Sequence, residues 1–313
     1  MKKKKFLVTG SAGFIGNNIV ERLLNLDQNV IAIDNLSFGK KKCKTNFLNL
    51  DISNESDVKN LFDEGFDVVF HLAAVSGAQL SHDEPKKDIE TNILGTLNIL
   101  RYSEKQKVKK VVNTSSVSVY GNSKLFPIKE THACNPTSQY GISKLTTEMY
   151  ANLFKNMDIT NLRLFNVYGP GQDLNNFKQG MISIYLYYIT RNQSIITKGS
   201  KHRFRDFVYI EDVVDAYFDC LKIKKGTYNI CTGKKTTVEE LQNKLLKLMN
   251  KENHQINYLE ETTPGDPFGT VGSYEKFNKA SGWSPKINLE KGLQLTVDWI
   301  KNESNNSCKE IFN

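Results

Sequence analysis

Tyr140 and Lys144 have the residue types and the spacing of a general base. They stand four residues apart in a segment, 139–150, whose pattern predicts a helix, so both side chains are expected on one face. An ammonium group beside a phenol favours the phenolate and lowers the pKa of the tyrosine towards the working pH. A strand predicted over 111–115 leads into Ser116, whose hydroxyl could share the proton of a substrate alcohol with Tyr140. The three residues predict proton transfer at an alcohol, although a simple Tyr–Lys pair on a helix surface is the alternative.

A glycine-rich turn joins the first predicted strand, residues 6–8, to the first predicted helix, residues 14–26. Its sequence is Gly10-Ser11-Ala12-Gly13-Phe14-Ile15-Gly16. Glycine permits a tight turn and lets the backbone approach a pyrophosphate, while the helix N-terminus offers free N–H groups. Asp34 follows at the end of the second predicted strand, near the spacing expected for an acid that binds ribose. Glycines alone would indicate only a turn, but this combination predicts a dinucleotide site.

Asp34 also bears on the choice of dinucleotide. A carboxylate that accepts hydrogen bonds from both ribose hydroxyls would repel a 2′-phosphate, so NAD is expected rather than NADP. The lysines at 40–42 keep NADP open. Asp51, after the third predicted strand, could reach the adenine amino group, and its alternative role is the N-cap of the following helix.

The elements that must position these residues alternate between strand and helix through the first half of the chain. Strands are predicted over 6–8, 30–33, 45–50, 67–72 and 111–115, and helices over 14–26, 55–62 and 87–102. Such alternation implies parallel strands joined by helical crossovers. After Gly169-Pro170-Gly171 the pattern loosens, with helices predicted over 181–190 and 238–248 and strands over 194–197 and 207–210. We expect an α/β protein with a doubly wound parallel sheet and a smaller second lobe.

Composition agrees with an ordinary folded protein. The chain has 313 residues, of which 39% are hydrophobic and 24% charged, which excludes disordered, collagen-like and coiled-coil classes. Its most apolar stretches, such as residues 68–75, are too short to span a bilayer or form a signal-peptide core. A cytoplasmic protein with no membrane partner is therefore expected.

Charge and cysteine content limit the partners. The formal net charge of +8 is scattered in short lysine runs without interleaved aromatic residues, which is typical of solvated faces rather than a nucleic-acid surface. A mildly positive field still favours small anionic substrates. The five cysteines, at 43, 134, 220, 231 and 308, lack paired spacing, so we expect free thiols and no metal site.

A series of motifs in order resembles the extended short-chain dehydrogenase/reductases and, more narrowly, the NAD-dependent nucleotide-sugar epimerase/dehydratase family of the UDP-glucose 4-epimerase type. The motifs are Gly10-x-x-Gly13-x-x-Gly16, Asp34, Asp51-Ile52, His71-Leu72-Ala73-Ala74, Asn92-x-x-Gly95-Thr96, Thr114-Ser115-Ser116-x-x-x-Tyr120-Gly121, Tyr140-Gly141-x-Ser143-Lys144, Arg163-x-x-Asn166-x-Tyr168-Gly169-Pro170 and Gly282-Trp283-x-Pro285. The similarity covers nearly all of the chain. It implies a Rossmann-type NAD-binding domain over residues 1–165. Residues 166–313 would form mainly a nucleotide-sugar lobe, with some segments returning to the first domain.

The resemblance implies roles for individual residues. Ser116, Tyr140 and Lys144 are the implied catalytic group. The implied NAD-binding residues are Gly10, Gly13, Phe14, Ile15, Gly16, Asp34, Asn35, Asp51, Ile52, Leu72, Ala73, Ala74, Asn92, Tyr140 and Lys144. The implied substrate-binding residues are Ser116, Ser118, Tyr140, Asn166, Met181 and Arg205. Asn92 is expected near the nicotinamide and Arg205 at a phosphate, although a surface ion pair with an acid is the alternative for the arginine. His71 is expected to be structural, and a homodimer through the helices that hold Asn92 and Tyr140 is implied.

The implied substrate is a nucleoside-diphosphate sugar, linked to UDP or GDP, that is oxidised at C4. Dehydratases of the family carry an acidic pair where this chain has Val117 and Ser118, so elimination of water lacks its proton donor and acceptor. We expect a 4-epimerase that works through a 4-keto intermediate. A one-way 4-dehydrogenase or 4-ketosugar reductase would need the same residues, and a non-catalytic NAD-binding scaffold or sensor is the alternative from another class. Thr263 stands where relatives often have arginine, which puts a second phosphate clamp in doubt.

Overall fold

The structure, a computed structural model, describes residues 3–39 and 45–310, with the backbone alone for residues 303–310. The strands are β1 Lys5–Thr9, β2 Asn29–Asp34, β3 Asn46–Asn49, β4 Val68–His71, β5 Lys110–Ser116, β6 Ile159–Leu164, β7 Asn166–Tyr168, β8 Ile195–Lys198, β9 Phe204–Arg205, β10 Phe207–Tyr209, β11 Gly226–Ile230, β12 Thr236–Thr237 and β13 Ile256–Leu259. The α-helices are α1 Phe14–Asn25, α2 Glu55–Phe62, α3 Ala78–Asp83, α4 Pro85–Asp88, α5 Thr96–Lys105, α6 Gln139–Ala151, α7 Met181–Thr190, α8 Ile210–Asp219, α9 Val238–Leu248, α10 Glu275–Ser281 and α11 Leu289–Glu310. A π-helical stretch, Ile89–Gly95, joins α4 to α5.

A seven-stranded parallel sheet forms the centre of the molecule. Its strand order is β3-β2-β1-β4-β5-β6-β11, and every neighbouring pair is parallel. The order reverses between β1 and β4, and ligands of such sheets bind outside the carboxyl ends of the strands at that point. The expected doubly wound, Rossmann-type fold is confirmed.

Helices cover both faces of this sheet because successive strand residues point to opposite sides. Phe6 and Val8 of β1 face one hydrophobic core, which also receives apolar residues of α1 and α8. Leu7, between them, faces a second core that contains residues of α2, α5 and α6. The two cores fix the strand ends, and therefore the cleft that lies above them.

The second half of the chain contributes both to a smaller lobe and to the main sheet. Short two-strand pairs, β7–β10, β8–β13 and β9–β12, lie outside the main sheet with α7 and α9. β11 instead pairs with β6 as the last strand of the main sheet. The division into an NAD domain over 1–165 and a substrate lobe from 166 stays a prediction.

The helix predicted over 87–102 is three consecutive pieces, namely α4, the π-helical stretch and α5. In the wider π-helical turn, Asn92 points inward and is 1% exposed. At the end of the stretch, a Cβ on Gly95 would lie 2.6 Å from the end of the Ile52 side chain, which would have to move to make room for it. Apolar periodicity predicts that a helix exists here but not where its turn widens.

Candidate active site

One cleft of about 580 Å³ lies at the carboxyl edge of the sheet, between the sheet and the second lobe. Most of the predicted site residues line it. From the cofactor prediction these are Gly10, Gly13, Phe14, Ile15, Gly16, Asp34, Asn35, Ile52, Leu72, Ala73, Ala74, Tyr140 and Lys144, and from the substrate prediction Ser116, Ser118, Asn166 and Met181. These residues form one continuous surface, while Asp51, Asn92 and Arg205 lie outside it.

The glycine turn is packed too closely for side chains. Gly10 has a φ of +68°, and a Cβ there would lie 2.6 Å from the backbone nitrogen of Ala73. A Cβ on Gly16 would collide with the carbonyl oxygen of Gly10. The absence of side chains at Gly10 and Gly16 therefore lets the turn pack closely at the start of α1, where free N–H groups can bind a pyrophosphate.

Asp34 ends β2 and points into the same turn. Its Oδ2 accepts a hydrogen bond from the Ala12 N–H at 3.0 Å, and its Oδ1 accepts one from Leu36 at 2.8 Å. Burial raises the pKa of Asp34, and these two backbone hydrogen bonds oppose the rise. The carboxylate is therefore held at the position from which a ribose could be bound.

Asp51 lies at the rim of the cleft rather than in its wall. It accepts hydrogen bonds from Asn35 Nδ2 at 2.7 Å and from the Ser53 N–H at 2.8 Å. Against the raising effect of burial, hydrogen bonds from Ser53 and Asn35 lower its pKa. Asn54, not Asp51, caps α2, since its side chain accepts from Ser56 and Asp57. The N-cap alternative for Asp51 is therefore wrong, and its contact with adenine stays a prediction.

Tyr140, Lys144 and Ser116 meet where β5 ends beside α6. Lys144 Nζ donates to the Thr114 carbonyl at 2.9 Å and lies 5.8 Å from the centre of the Tyr140 ring. Ser116 Oγ accepts from the Ser118 N–H at 3.1 Å and lines the same cleft as Tyr140. The helix face predicted for Tyr140 and Lys144 does bring both residues into the cleft.

The pKa values in this group differ from the expectation. Burial raises the pKa of Tyr140, and hydrogen bonds with Ser76 and Ser116 only partly offset it. Burial also lowers the pKa of Lys144 to about 8, against the charges of Asp88 and Glu148, which raise it. Desolvation thus dominates the pKa of the Tyr140 phenol, and the predicted lowering by Lys144 is not found.

Asn92 clamps the backbone under the cleft instead of lining it. Its Oδ1 accepts from the Val75 N–H at 2.7 Å, and its Nδ2 donates to the Val75 carbonyl at 3.1 Å. The same Nδ2 lies 2.7 Å from Asp88 Oδ2, which also accepts from Ser81 Oγ at 2.6 Å. Asn92 therefore holds the segment that carries Ala73 and Ala74, and its direct contact with a nicotinamide stays a prediction.

Arg205 is turned away from the cleft. It is 4% exposed, and its guanidinium donates to Asp266 at 2.6 Å and to the Phe204 and Phe268 carbonyls. Arg203 binds the other oxygen of Asp266 at 2.6 Å. Two guanidinium groups thus share one carboxylate next to Thr263, and the phosphate role of Arg205 stays a prediction.

Asn166 and His71 illustrate two kinds of buried polar group. Asn166 lines the cleft, and its buried Oδ1 has no hydrogen-bond partner among the residues that the structure describes, so it is a group in need of a ligand. His71 lies between the hydroxyls of Thr9, at 2.8 Å, and Thr96, at 2.9 Å. Burial lowers the pKa of His71 to about 3, with a further contribution from Lys144, so it stays neutral and structural as expected.

Sequence patterns did not reveal three contributors to the cleft wall. Ser76 follows β4, Gln179 precedes α7, and Gln179 Nε2 donates to Ser76 Oγ at 2.9 Å. At the other end of the cleft, Lys87 lies 4.7 Å from the centre of the Phe38 ring. No local motif marks these residues, because each acquires its role from a partner distant in the chain.

These features fit a dinucleotide: a glycine turn at the start of α1, a half-buried carboxylate at the end of β2, and a cleft that runs from there to Tyr140. Within the described part of the chain, no group of His, Cys, Asp and Glu could hold a metal ion. Residues 40–42, whose lysines kept NADP open, lie outside the described residues. No helix among those described is both long and apolar enough to cross a membrane. The cysteines with described side chains, Cys134, Cys220 and Cys231, are free thiols.

Comparison with known proteins decides the family. The sequence profile of the NAD dependent epimerase/dehydratase family matches residues 6–231. The chain belongs to this family.

Individual relatives match over nearly the whole chain. A protein of Methanocaldococcus jannaschii is 38% identical over 95% of this chain and 99% of its own length. A UDP-glucose 4-epimerase of Mycolicibacterium smegmatis is 31% identical over 95% of this chain and 99% of its own length. The crystal structure of the Thermotoga maritima UDP-glucose 4-epimerase with UDP-glucose has a TM-score of 0.91 at 36% identity and covers 96% of this chain and 99% of that one. The motifs therefore predicted both the family and the fold correctly.

Proposed function

We propose that this member of the family is an NAD-dependent nucleotide-sugar 4-epimerase that acts on a UDP-linked sugar through a 4-keto intermediate. The observation that carries the proposal is the meeting of Tyr140, Lys144 and Ser116 in the same cleft as the glycine turn and Asp34. Relatives that match at least 95% of the chain include UDP-glucose 4-epimerases, and a Thermus thermophilus relative of known structure, 30% identical, holds NAD.

The chain's own groups supply proton transfer and orientation. NAD, held by the glycine turn and Asp34, would supply reversible hydride transfer at C4 of the sugar. Tyr140 accepts the proton of the C4 hydroxyl and gives it back, which is general base and then general acid catalysis. Ser116 orients the same oxygen, and the ammonium of Lys144, fixed on the Thr114 carbonyl, favours the phenolate.

The proposal favours epimerisation over dehydration because of the two residues after Ser116. Val117 and Ser118 occupy the positions where an elimination would need an acid and a base. Among the described residues that line the cleft, the carboxylates are Asp34, at the end of β2, and Asp173. Neither carboxylate lies in the segment that follows β5, so the elimination of water from the sugar has no carboxylic proton donor at that position.

The finer statements are the nucleotide, the assembly and the location. UDP is proposed because solved relatives hold UDP-glucose or UDP-N-acetylmuramic acid. A homodimer is supported by exposed apolar side chains along α6 and the π-helical stretch, which a second copy would cover. These side chains are Ile142, Met149, Leu153, Ile89 and Leu94. A cytoplasmic location stays a prediction.

The test is incubation of the purified protein with UDP-, GDP-, CDP- and dTDP-sugars, followed by NMR of the sugar and absorbance of the cofactor. We expect inversion at C4 of a UDP-sugar without net formation of NADH. Accumulated NADH or a released 4-ketosugar would instead establish a one-way dehydrogenase. Bound NAD with no turnover of any sugar would indicate a scaffold, so each alternative has its own outcome.

A further inference from the structure

Phe38 and Lys87, from two separate segments of the chain, meet at the mouth of the cleft. Lys87 Nζ lies 4.7 Å from the centre of the Phe38 ring, within the range of a cation–π interaction. Both residues line the cleft, yet Phe38 is 41% exposed and Lys87 is half-buried. The contact therefore lies where the cleft opens to solvent.

The two segments leave the sheet on opposite sides of the glycine turn. Phe38 lies in the loop after β2, and Lys87 lies in α4, which comes after β4. β1 lies between β2 and β4 in the sheet, and the glycine turn follows β1. Because these strands are parallel, all three segments emerge at the same edge of the sheet. The contact between Phe38 and Lys87 consequently spans the end of β1 from one side to the other.

The loop that carries Phe38 is fixed to the glycine turn on one side. Asp34 accepts hydrogen bonds from the N–H groups of Ala12, in the turn, and of Leu36, in the loop. A Cβ on Gly39 would lie 2.6 Å from the carbonyl carbon of Ala12, so the backbone of the loop packs directly against the turn. Phe38 lies between these two points of attachment.

The helix that carries Lys87 is fixed to the protein interior on the other side. Its neighbour Asp88 is 1% exposed and accepts a hydrogen bond from Asn92 Nδ2 at 2.7 Å. The preceding Lys86 has a side chain that is 89% exposed and lies 3.7 Å from Glu90. Two adjacent lysines thus point in different directions, and Lys87 is the one that lines the cleft.

The contact lies at the end of the cleft that is expected to hold the adenosine part of NAD. Asp34, at the end of β2, and Asn35 line this cleft as well. Against the raising effect of burial, hydrogen bonds from Ser53 and Asn35 lower the pKa of Asp51, and the charge of Lys87 lowers it further. Lys87 therefore also acts on the residue for which an adenine contact is predicted.

We propose that Phe38 and Lys87 form a latch across the mouth of the cleft and that this latch must open whenever NAD enters or leaves. The latch joins two parts of the protein, each fixed separately, and is not itself a contact with the cofactor. It should therefore slow entry and release equally, as a lid does. Slow exchange would keep the cofactor in place between oxidation and reduction of the sugar, and this consequence alone rests on the proposed function.

The first test is the rate of NAD exchange in Lys87→Met and in Phe38→Leu, which keep the size and apolar character of the side chains but remove the cation or the ring. NAD-loaded protein is mixed with an excess of isotopically labelled NAD, and mass spectrometry of the bound cofactor gives the dissociation rate constant. Loss of a partly exposed cation–π contact should raise this constant by about three- to fivefold in each variant. Kd, obtained from free NAD after serial dilution of the loaded protein and ultrafiltration, should change by less than about twofold.

The second test asks whether the two side chains act through one contact. The double variant Phe38→Leu with Lys87→Met should exchange NAD no faster than either single variant, because the same contact is lost in each. Lys87→Arg keeps a cation over the ring and should retain the wild-type rate. Lys86→Met is the matched control, since it removes the same charge one residue away, and its rate should stay at the wild-type value.

The remaining outcomes would overturn the inference. A faster release matched by an equally weaker Kd would show that Lys87 holds NAD directly and that no latch opens. Independent effects that multiply in the double variant, an equal acceleration in Lys86→Met, or wild-type exchange in both single variants would also contradict it. Neither measurement uses turnover of a sugar, so an enzyme that epimerises no UDP-sugar would contradict the proposed function and leave the latch intact.

Discussion

The two clusters of ion pairs near the cleft differ in charge balance and in exposure. Behind Tyr140, Glu148 and Arg163 form a pair 2.6 Å apart, with side chains only 4% and 7% exposed. In the second lobe, Asp266 pairs with both Arg203 and Arg205 and is itself 26% exposed. The first cluster is neutral and closed, whereas the second sets two positive charges against one negative charge.

The two clusters therefore have different roles. The neutral cluster supports the catalytic group, and the positively charged cluster could bind an anion. Glu148 lies on α6 with Tyr140, accepts a hydrogen bond from Ser115 of β5, and binds Arg163 of β6. The neutral cluster therefore ties α6 and β5, which carry the proposed catalytic residues, to β6. The second cluster has an uncompensated positive charge, which a phosphate of the substrate could neutralise.

The largest effect is expected for chemistry beside the neutral cluster. Tyr140→Phe removes the proton acceptor while leaving the ring in place, so turnover should fall by about 10³-fold or more. NAD content after purification and the melting temperature should both stay near wild type, because the glycine turn and the ion pair are untouched. Steady-state kinetics with a UDP-sugar measures the loss, and a variant that retained activity would require a different base.

The neutral cluster itself should respond strongly to loss of one charge. Glu148→Ala leaves the buried guanidinium of Arg163 without a counter-ion and should lower the free energy of unfolding by about 4 kcal/mol. Urea unfolding followed by circular dichroism measures the change. Glu148→Leu combined with Arg163→Met is the control, since removing both charges should recover most of the stability. If Glu148→Ala lowered the free energy of unfolding by less than about 1 kcal/mol, the ion pair would be accessible to water rather than buried.

Pairing between residues that lie far apart in the chain limits which parts of the fold can be predicted from the sequence. The helices at 55–62, 181–190 and 238–248 have the predicted bounds, because apolar periodicity and local caps such as Thr237 with Glu240 define them. β6 was not predicted, since its buried polar residues break the apolar pattern of a central strand. Asn161 pairs with Asn113 and Arg163 with Glu148, and neither partner can be recognised from the sequence of β6 itself.

The candidate site likewise contains residues that local sequence patterns predict and residues that only long-range contacts place. The glycine turn, Asp34 and the Tyr140–Lys144 pair depend on strand ends and helix faces, which are local properties that a sequence pattern reports. The contact between Gln179 and Ser76 joins residues 103 positions apart, and that between Arg205 and Asp266 joins residues 61 apart. Spacing carried no signal for either contact, so the position of Arg205 outside the cleft was not foreseen.

The buried side chain of His71 predicts how the stability of the protein depends on pH. Its folded-state pKa of about 3 lies below the ordinary value of 6.5, so the unfolded chain binds the proton that the folded protein rejects. Stability should therefore fall as pH drops below 6.5, by about 2 kcal/mol at pH 5 relative to pH 7.5. Urea unfolding at both pH values should show this loss in wild type and in the exposed control His202→Gln, and a smaller loss in His71→Gln. An equal pH dependence in all three proteins would mean that groups other than His71 cause the loss of stability at low pH.

The smallest effect separates the two arginines of the second cluster. Each donates to one oxygen of Asp266, so Arg203→Ala and Arg205→Ala should cost similar stability, about 1–2 kcal/mol each. Only Arg205 matches the family motif for a phosphate contact, so only Arg205→Ala should raise KM for the UDP-sugar, by about tenfold, with kcat changed less than about twofold. Isothermal titration with UDP alone should show the same ratio. KM values that stay at the wild-type level in both variants would mean that the uncompensated charge stabilises the lobe and does not meet the substrate.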